Sequence, residues 1–392
     1  MNGKSTLFFI ICIRFLITGS VGLSQAYEVG TSQIHFSDPA RNRTIPSRVF
    51  YPAKSTGSDA ALEDGSFPLI VLGHGFAMNY QAYLNFRDTL VHRGYILVIP
   101  TTETGPIPFP DHAEFGEDLK FLNVHIKYLN TVPGSIFYGH VKEQSAIMGH
   151  SMGGGASVLA ASGNEQLTTL ILFAPAETKP SAIESSSAVS VPSIVFSGEN
   201  DGVTLPDEMH IPVFNRLGTS CKFFIKILGG GHCYFANSNL ACDFGETVSN
   251  PQPLITRPKQ QEIVFKLLIP WLDYYLKMDQ GSNSSFMNLL IDNHDFNFYG
   301  QCDLLKTSSP QFNEQGIYPN PTKGKFKFFL PDSLIKNAFE MQVLDLYGKE
   351  VYRKSRVNIG DEQDIGILNS GLYVVRLKNG NNIMTGKVLL GK

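Results

Sequence analysis

Six short apolar runs set the strongest limit on what this chain can fold into. "FPLIVLGH" (67–74), "GYILVIP" (94–100), "QSAIMGH" (144–150), "LTTLILFAP" (167–175), "VPSIVFSG" (191–198) and "KFFIKILGG" (222–230) each end on glycine, proline or histidine. None alternates polar with apolar, so each predicts a strand covered on both faces, as in a mainly parallel sheet. The segments between them carry helical periodicity. "YQAYLNFRDTLVHRG" predicts a helix capped by Gly94, and "AEFGEDLKFLNVHIKYLN" predicts a second. "PKQQEIVFKLLIPWLDYYLKM" predicts a closing helix with Pro270 as a point of kinking. Strand–helix alternation over 27–278 predicts an α/β domain with a doubly wound sheet.

Both ends differ from this middle. The start, "MNGKSTLFFIICIRFLITGSVGLSQA", joins a basic residue, an apolar run broken by Arg14 and a small-x-small pattern at Ser24-Gln25-Ala26. It predicts a signal peptide over 1–26, because a membrane span needs about 20 apolar residues. Cys12 leaves with that leader, and Cys221, Cys233, Cys242 and Cys302 remain. Four cysteines in an exported chain predict disulfides with three possible connectivities. The spacing favours a local Cys233–Cys242 staple. No zinc motif is present, and no metal or cofactor is expected. With 17% charged residues, 43% hydrophobic residues and a net charge of −3, the chain offers no basic field for nucleic acid. A monomer is expected.

Residues 279–315 are rich in Asn, Ser and Asp, and predict a tail and linker. After them, "GKFKFFLP", "FEMQVLDLYGKEVYRK", "GLYVVRLKNGNN" and "MTGKVLLGK" alternate in period two between Gly and Asn turns. They predict a small antiparallel β-sandwich over 316–392. The ordered motifs "YPNPTKGKFKF", "VLDLYGKEVY", "SGLYVVRLKNG" and "GKVLL" resemble the C-terminal sorting domain of the type IX secretion system of Bacteroidetes. That resemblance implies export through the periplasm, engagement of the outer-membrane secretion machinery, and a secreted or cell-surface location.

The stretch "AIMGHSMGGGAS" (146–157) carries the chemistry. Gly149-His150-Ser151-Met152-Gly153 fits G-x-S-x-G between a strand pattern and a helix pattern, the setting of a nucleophile elbow. No lysine follows the glycines as a phosphate loop requires, and the G-x-G-x-x-G spacing is absent. A serine hydroxyl needs a base, and the base needs an orienting acid. Asp201 follows one later strand, with Glu199 as the competing acid, and His232 follows the next. The order Ser151, Asp201, His232 predicts a catalytic triad. His150 is expected to shape the pocket. The backbone N–H groups of Met152 and Phe76 are the expected oxyanion donors, with Gly75 as the alternative to Phe76. Phe109 and Phe115, in "TTETGPIPFPDHAEFGEDL", are candidate pocket-lining residues.

These motifs, with "GHGF" and "GENDGVTLP", resemble the α/β-hydrolase superfamily from about residue 47 to 278. Within it they resemble the branch of cutinases, polyester hydrolases, dienelactone-hydrolase-like proteins and chlorophyllases. The resemblance implies a serine esterase acting on small-molecule or polymeric esters without a cofactor. A peptidase, an acyltransferase and a non-catalytic surface protein are the alternatives. One departure stands out. Cutinases carry a tryptophan on the loop that here reads "FAPAETKPS", whereas the single tryptophan of this chain, Trp271, lies in the last helix.

Overall fold

The computed structural model describes residues 26–291, 293–302, 317–328, 339–345, 349–358, 360–379 and 382–391. Apart from Ala26, the expected leader lies outside them. The chain divides into two compact units, one holding most of the chain up to Asn283 and one holding the C-terminal region.

The first unit is built on one sheet. All six apolar runs form strands in it: β4 (Phe67–Gly73), β5 (Ile96–Pro100), β6 (Val141–His150), β7 (Thr169–Phe173), β8 (Ser193–Gly198) and β9 (Lys222–Ile227). In front of them stand β1 (Glu28–Asp38), β2 (Arg43–Ala53) and the short β3 (Gly57–Ser58). The order runs β9-β8-β7-β6-β4-β5-β2-β1-β3. β4 pairs in parallel with both β5 and β6, and β6-β7-β8 continue in parallel. β1 and β2 form an antiparallel hairpin that joins β5. The hairpin alternates exposed and buried residues along β1, as one-sided burial requires, whereas β4 and β5 are buried at every position.

The helices follow local signals. α1 (Leu84–Leu90) lies between two 3₁₀ turns, and Gly94 ends the segment at φ 84°. In that left-handed position glycine escapes the Cβ clash. α2 (His112–Leu129) starts at Asp111, whose carboxylate accepts the Ala113 and Glu114 N–H groups. Its Phe115, Leu119, Leu122 and Ile126 are fully buried at helical spacing. Asp118 on the same helix is also fully buried, and receives Arg41, Arg43 and the Thr102 hydroxyl at 2.7–2.8 Å. Removing one partner of such a buried ion set would leave a costly unpaired charge. Further along come α3 (Met152–Ala161), α4 (Ala182–Ser185), α5 (His210–Arg216), α6 (Leu240–Val248) and α7 (Arg257–Lys277). α7 continues through Pro270 and buries Trp271, whose indole N–H donates to Thr169 Oγ1 at 2.9 Å.

Part of the stretch read as tail and linker is regular. It forms α8 (Gln280–Ile291) and a strand at Phe296–Gln301, because Phe286, Leu290 and Phe296 bury apolar side chains that weak overall periodicity conceals. Residues 303–316 lie outside the described residues. Among the cysteines, Cys221 pairs with Cys302 and Cys233 with Cys242.

The described strands of the C-terminal region pair antiparallel, with an isolated parallel bridge between Thr322 and Leu390. Glu350–Val357, Phe339–Leu344, Gly371–Asn379 and Asn382–Leu390 form one sheet, and Ile317–Tyr318, Lys325–Phe328 and Gln363–Asp364 form another. Phe339, Met341 and Val343 point to the core while Glu340 and Gln342 are only partly buried, a two-residue period. They pack with Phe326, Phe328, Val375, Leu377 and Val388 into a separate core.

Candidate active site

Ser151 stands between β6 and α3 at φ 57°, ψ −123°. A non-glycine residue there is strained by about 1–3 kcal/mol, and its surroundings must hold it. The Ser151 N–H donates to Phe173 O, and its carbonyl accepts the N–H groups of Gly154, Gly155 and Ala176. The neighbouring glycines serve close approach. A Cβ on Gly149 would overlap the Gly153 carbonyl, and one on Gly153 would overlap the Gly73 carbonyl. The turn is tight enough for β6, α3 and the end of β4 to meet backbone to backbone.

The three residues named from the sequence stand in hydrogen-bond line. The Ser151 hydroxyl donates to His232 Nε2 at 2.9 Å, and His232 Nδ1–H donates to Asp201 Oδ2 at 2.8 Å. Ser151 is 9% exposed, His232 2% and Asp201 0%. Burial alone would push the His232 imidazole down. The charge and hydrogen bond of Asp201 outweigh it and hold His232 above its ordinary value. For Asp201 burial opposes ionisation, but His232 and the backbone N–H of Thr204 hold the carboxyl below its ordinary value. Glu199, the competing acid, is turned elsewhere: it accepts the Gly229 N–H at 3.1 Å and lies 3.8 Å from Lys226.

Asp201 has further partners that no sequence motif named. Asp201 Oδ1 accepts the Val203 and Thr204 N–H groups, an Asx-type turn visible in "DGVT". Thr204 Oγ1 lies 3.1 Å from Asp201 Oδ2, 2.8 Å from His232 Nδ1 and 2.9 Å from His210 Nε2. His210 is fully buried on α5, with Nδ1 2.8 Å from the Ser197 hydroxyl. Burial lowers its pKa to about 4, so it is neutral near pH 7 and adds no charge beside Asp201.

The His232 loop is held from three directions. Glu246 on α6 accepts the N–H groups of His232 and Cys233 at 3.1 and 2.6 Å. Gln260 on α7 accepts from Gly231 N–H and donates to Gly231 O, and Arg257 donates to the carbonyls of Cys233 and Ala236. The Cys233–Cys242 disulfide joins residues nine positions apart. Loop entropy assigns such a closure about 2.5 kcal/mol. The Cys233→Ser/Cys242→Ser variant should therefore melt about 5–10 °C lower by calorimetry. An unchanged melting temperature would show that the hydrogen bonds alone hold the loop.

The remaining expected residues divide. Among the described residues, neither the Phe76 nor the Met152 backbone N–H donates to an acceptor within the protein, as an oxyanion site requires. The Gly75 N–H is engaged by Tyr83 Oη at 2.7 Å, so it is not available as the alternative donor. Phe109 is 69% exposed, Phe76 is 41% exposed, and their rings lie 5.6 Å apart. Phe115 is corrected: it is fully buried in the core against His74, because it belongs to the inward stripe of α2 and not to the preceding loop. His150 is 1% exposed, with both ring nitrogens engaged and its ring 4.9 Å from that of His232. Nothing local in the sequence marks Tyr83, Glu246 or Gln260; only folding brings them to the loops.

A family model described as PETase, PET hydrolase-like, matches residues 44–249, and one described as a secretion system C-terminal sorting domain matches 316–390. No match was found among curated proteins. The first match spans more than half of the 392 residues and covers Ser151, Asp201, His232 and α6. The chain therefore belongs to the PET hydrolase-like family of α/β hydrolases and ends in a type IX secretion sorting domain, which makes it a secreted or cell-surface protein.

Proposed function

We propose that the protein is a serine esterase that hydrolyses carboxylic esters through an acyl-enzyme, with Ser151 as nucleophile, His232 as base and Asp201 as orienting acid. The observation that carries this reading is the buried Ser151–His232–Asp201 line at 2.9 and 2.8 Å, with two unpaired backbone N–H groups in the loops beside it. His232 Nε2 takes the Ser151 proton as Oγ bonds the ester carbonyl carbon. The negative charge that develops on the carbonyl oxygen is met by the Met152 and Phe76 N–H groups, each contributing about 3–4 kcal/mol to the transition state. The C–O bond to the alcohol then breaks, and His232 returns the proton to the departing oxygen. Water repeats the sequence on the acyl-enzyme and frees the acid.

The family match and the open aromatic pair support an apolar ester as substrate, including the repeating esters of a polyester. Two exposed rings beside a backbone donor suit flat or aliphatic acyl groups, because burying them on binding releases water from apolar area. The test is an initial-rate series on p-nitrophenyl esters from acetyl to long acyl chains, with release of soluble acid from an aromatic polyester film. Turnover of the esters supports the esterase reading, and acid release extends it to polymers. Absence of turnover at every chain length would overturn it. The match at 316–390 further supports engagement of the type IX secretion machinery by the C-terminal domain.

A further inference from the structure

The three loops of the site arrive from the ends of different strands: the Phe76 loop from β4, the elbow from β6 and the His232 loop from β9. We propose that Tyr83 and His150 form a buried relay that keeps the Phe76 N–H, the Ser151 hydroxyl and the His232 imidazole in one register, with Tyr83 as a positioning residue for the oxyanion donor. This rests on the triad reading above.

The hydrogen bonds have one consistent direction. The Gly75 N–H can only donate, and it reaches Tyr83 Oη at 2.7 Å. The His232 carbonyl can only accept, and it lies 3.0 Å from His150 Nε2. His150 must therefore carry its proton on Nε2, which leaves Nδ1 to accept the Tyr83 hydroxyl proton at 3.0 Å. Met78 Sδ, at 3.3 Å from Tyr83 Oη, is a weak competing acceptor. The chain runs from the oxyanion loop, through the residue preceding Ser151, to the backbone of the base. Tyr83 is 0% and His150 1% exposed, so no bulk water competes for these groups. Burial, with the His232 charge adding to it, pushes the His150 pKa down to about 3, and burial pushes the Tyr83 phenol up, so both stay neutral. The titratable groups facing His150 are His232, Asp201 and His210.

The relay bears directly on the donor. The Gly75 carbonyl accepts the Met78 N–H at 3.1 Å and lies 3.0 Å from His74 Nδ1. In a trans peptide the Phe76 N–H points opposite to that carbonyl. Tyr83 holds the N–H of the same glycine, which belongs to the preceding peptide, so the donor peptide is held at its carbonyl by Met78 and His74 and on its N-terminal flank by Tyr83.

Tyr83→Phe removes one oxygen and little volume, leaving Gly75 N–H and His150 Nδ1 unpaired in a dry region. The expected result with p-nitrophenyl butyrate is a kcat about tenfold to hundredfold lower, with KM within about twofold. Phenylboronic acid gives a second readout. Its boron accepts an electron pair from Ser151 Oγ while His232 takes the proton, and the tetrahedral adduct places an oxygen on the donors. Its inhibition constant should rise in parallel with the fall in kcat. A merely structural role would not move both together. Should Tyr83→Phe fail to fold, His150→Gln against His150→Leu decides. The amide can accept from Tyr83 and donate to the His232 carbonyl, so His150→Gln should be at least about tenfold more active than His150→Leu. Tyr83→Phe with kcat and boronate affinity within twofold of wild type, or equal activity of the two His150 variants, overturns the relay. Wild-type protein that neither turns over esters nor binds the boronate overturns the esterase reading instead. In that event the ¹⁵N spectrum of His150 decides the relay: an unprotonated Nδ1 from about pH 5 to 9 supports it, and titration in that range overturns it.

Discussion

Ser151→Ala is expected to lower kcat on p-nitrophenyl esters by about 10⁶-fold, with the melting temperature unchanged. The two halves of that expectation have separate causes. Alanine keeps the Cβ, so the strained turn at φ 57° and its backbone hydrogen bonds to Phe173, Gly154, Gly155 and Ala176 persist. What disappears is the oxygen that His232 Nε2 meets at 2.9 Å, and with it the covalent route. The Phe76 and Met152 donors remain and can still favour attack by water, which accounts for a small residual rate. Initial rates at saturating substrate measure the first quantity, and calorimetry measures the second. A variant retaining more than about 1% of the rate would remove Ser151 from the nucleophile's role.

Asp201→Asn should cost about 10⁴-fold in kcat, while Glu199→Gln should stay within about threefold. The carboxylate at Asp201 holds His232 with its proton on Nδ1, so that Nε2 faces Ser151 as an acceptor. An amide presents an N–H to the same ring and favours the wrong tautomer. Glu199 engages Gly229 and Lys226, so its neutralisation leaves the imidazole alone. The pH profile separates charge from packing. Asp201 holds the His232 pKa above its ordinary value against burial, and the base is lost when it takes a proton. The acid limb of kcat/KM in the native protein should therefore fall with decreasing pH at a midpoint above about 6.5. In Asp201→Asn burial is opposed only by the smaller effect of the Glu246 charge, so that limb should move to lower pH. A midpoint unchanged between the two would detach the carboxylate from the base's ionisation.

Much of this was legible before folding, for local reasons. The elbow's glycines, serine and flanking apolar runs are contiguous, and the demand for close backbone approach is written in Gly149 and Gly153 themselves. Asp201 and His232 stand at the ends of runs whose strand character was plain, so chain order alone placed them on loops at one edge of a parallel sheet. The misreadings were also local. Phe115 sits just after a loop-like stretch, and its neighbours in sequence do not say that Asp111 has already started a helix. His150 is adjacent to Ser151 in sequence, and adjacency does not name the partners of its ring. At a sharp turn successive side chains diverge, and His150 is directed inward toward Tyr83. The helix within 279–315 was hidden because its buried residues are few among polar ones.

The sequence by itself determined the fold class, the presence of a hydrolase region and a sorting domain, and Ser151 and His232 as candidates with Asp201 and Glu199 as competing acids, because each depends on short contiguous patterns or on chain order. Only the tertiary structure decided which acid meets His232, which N–H groups remain unpaired, which cysteines join, and that Tyr83, Thr204, His210 and Glu246 surround the site. Those answers depend on side chains far apart in the chain meeting at distances near 3 Å, and no local pattern encodes a meeting of that kind.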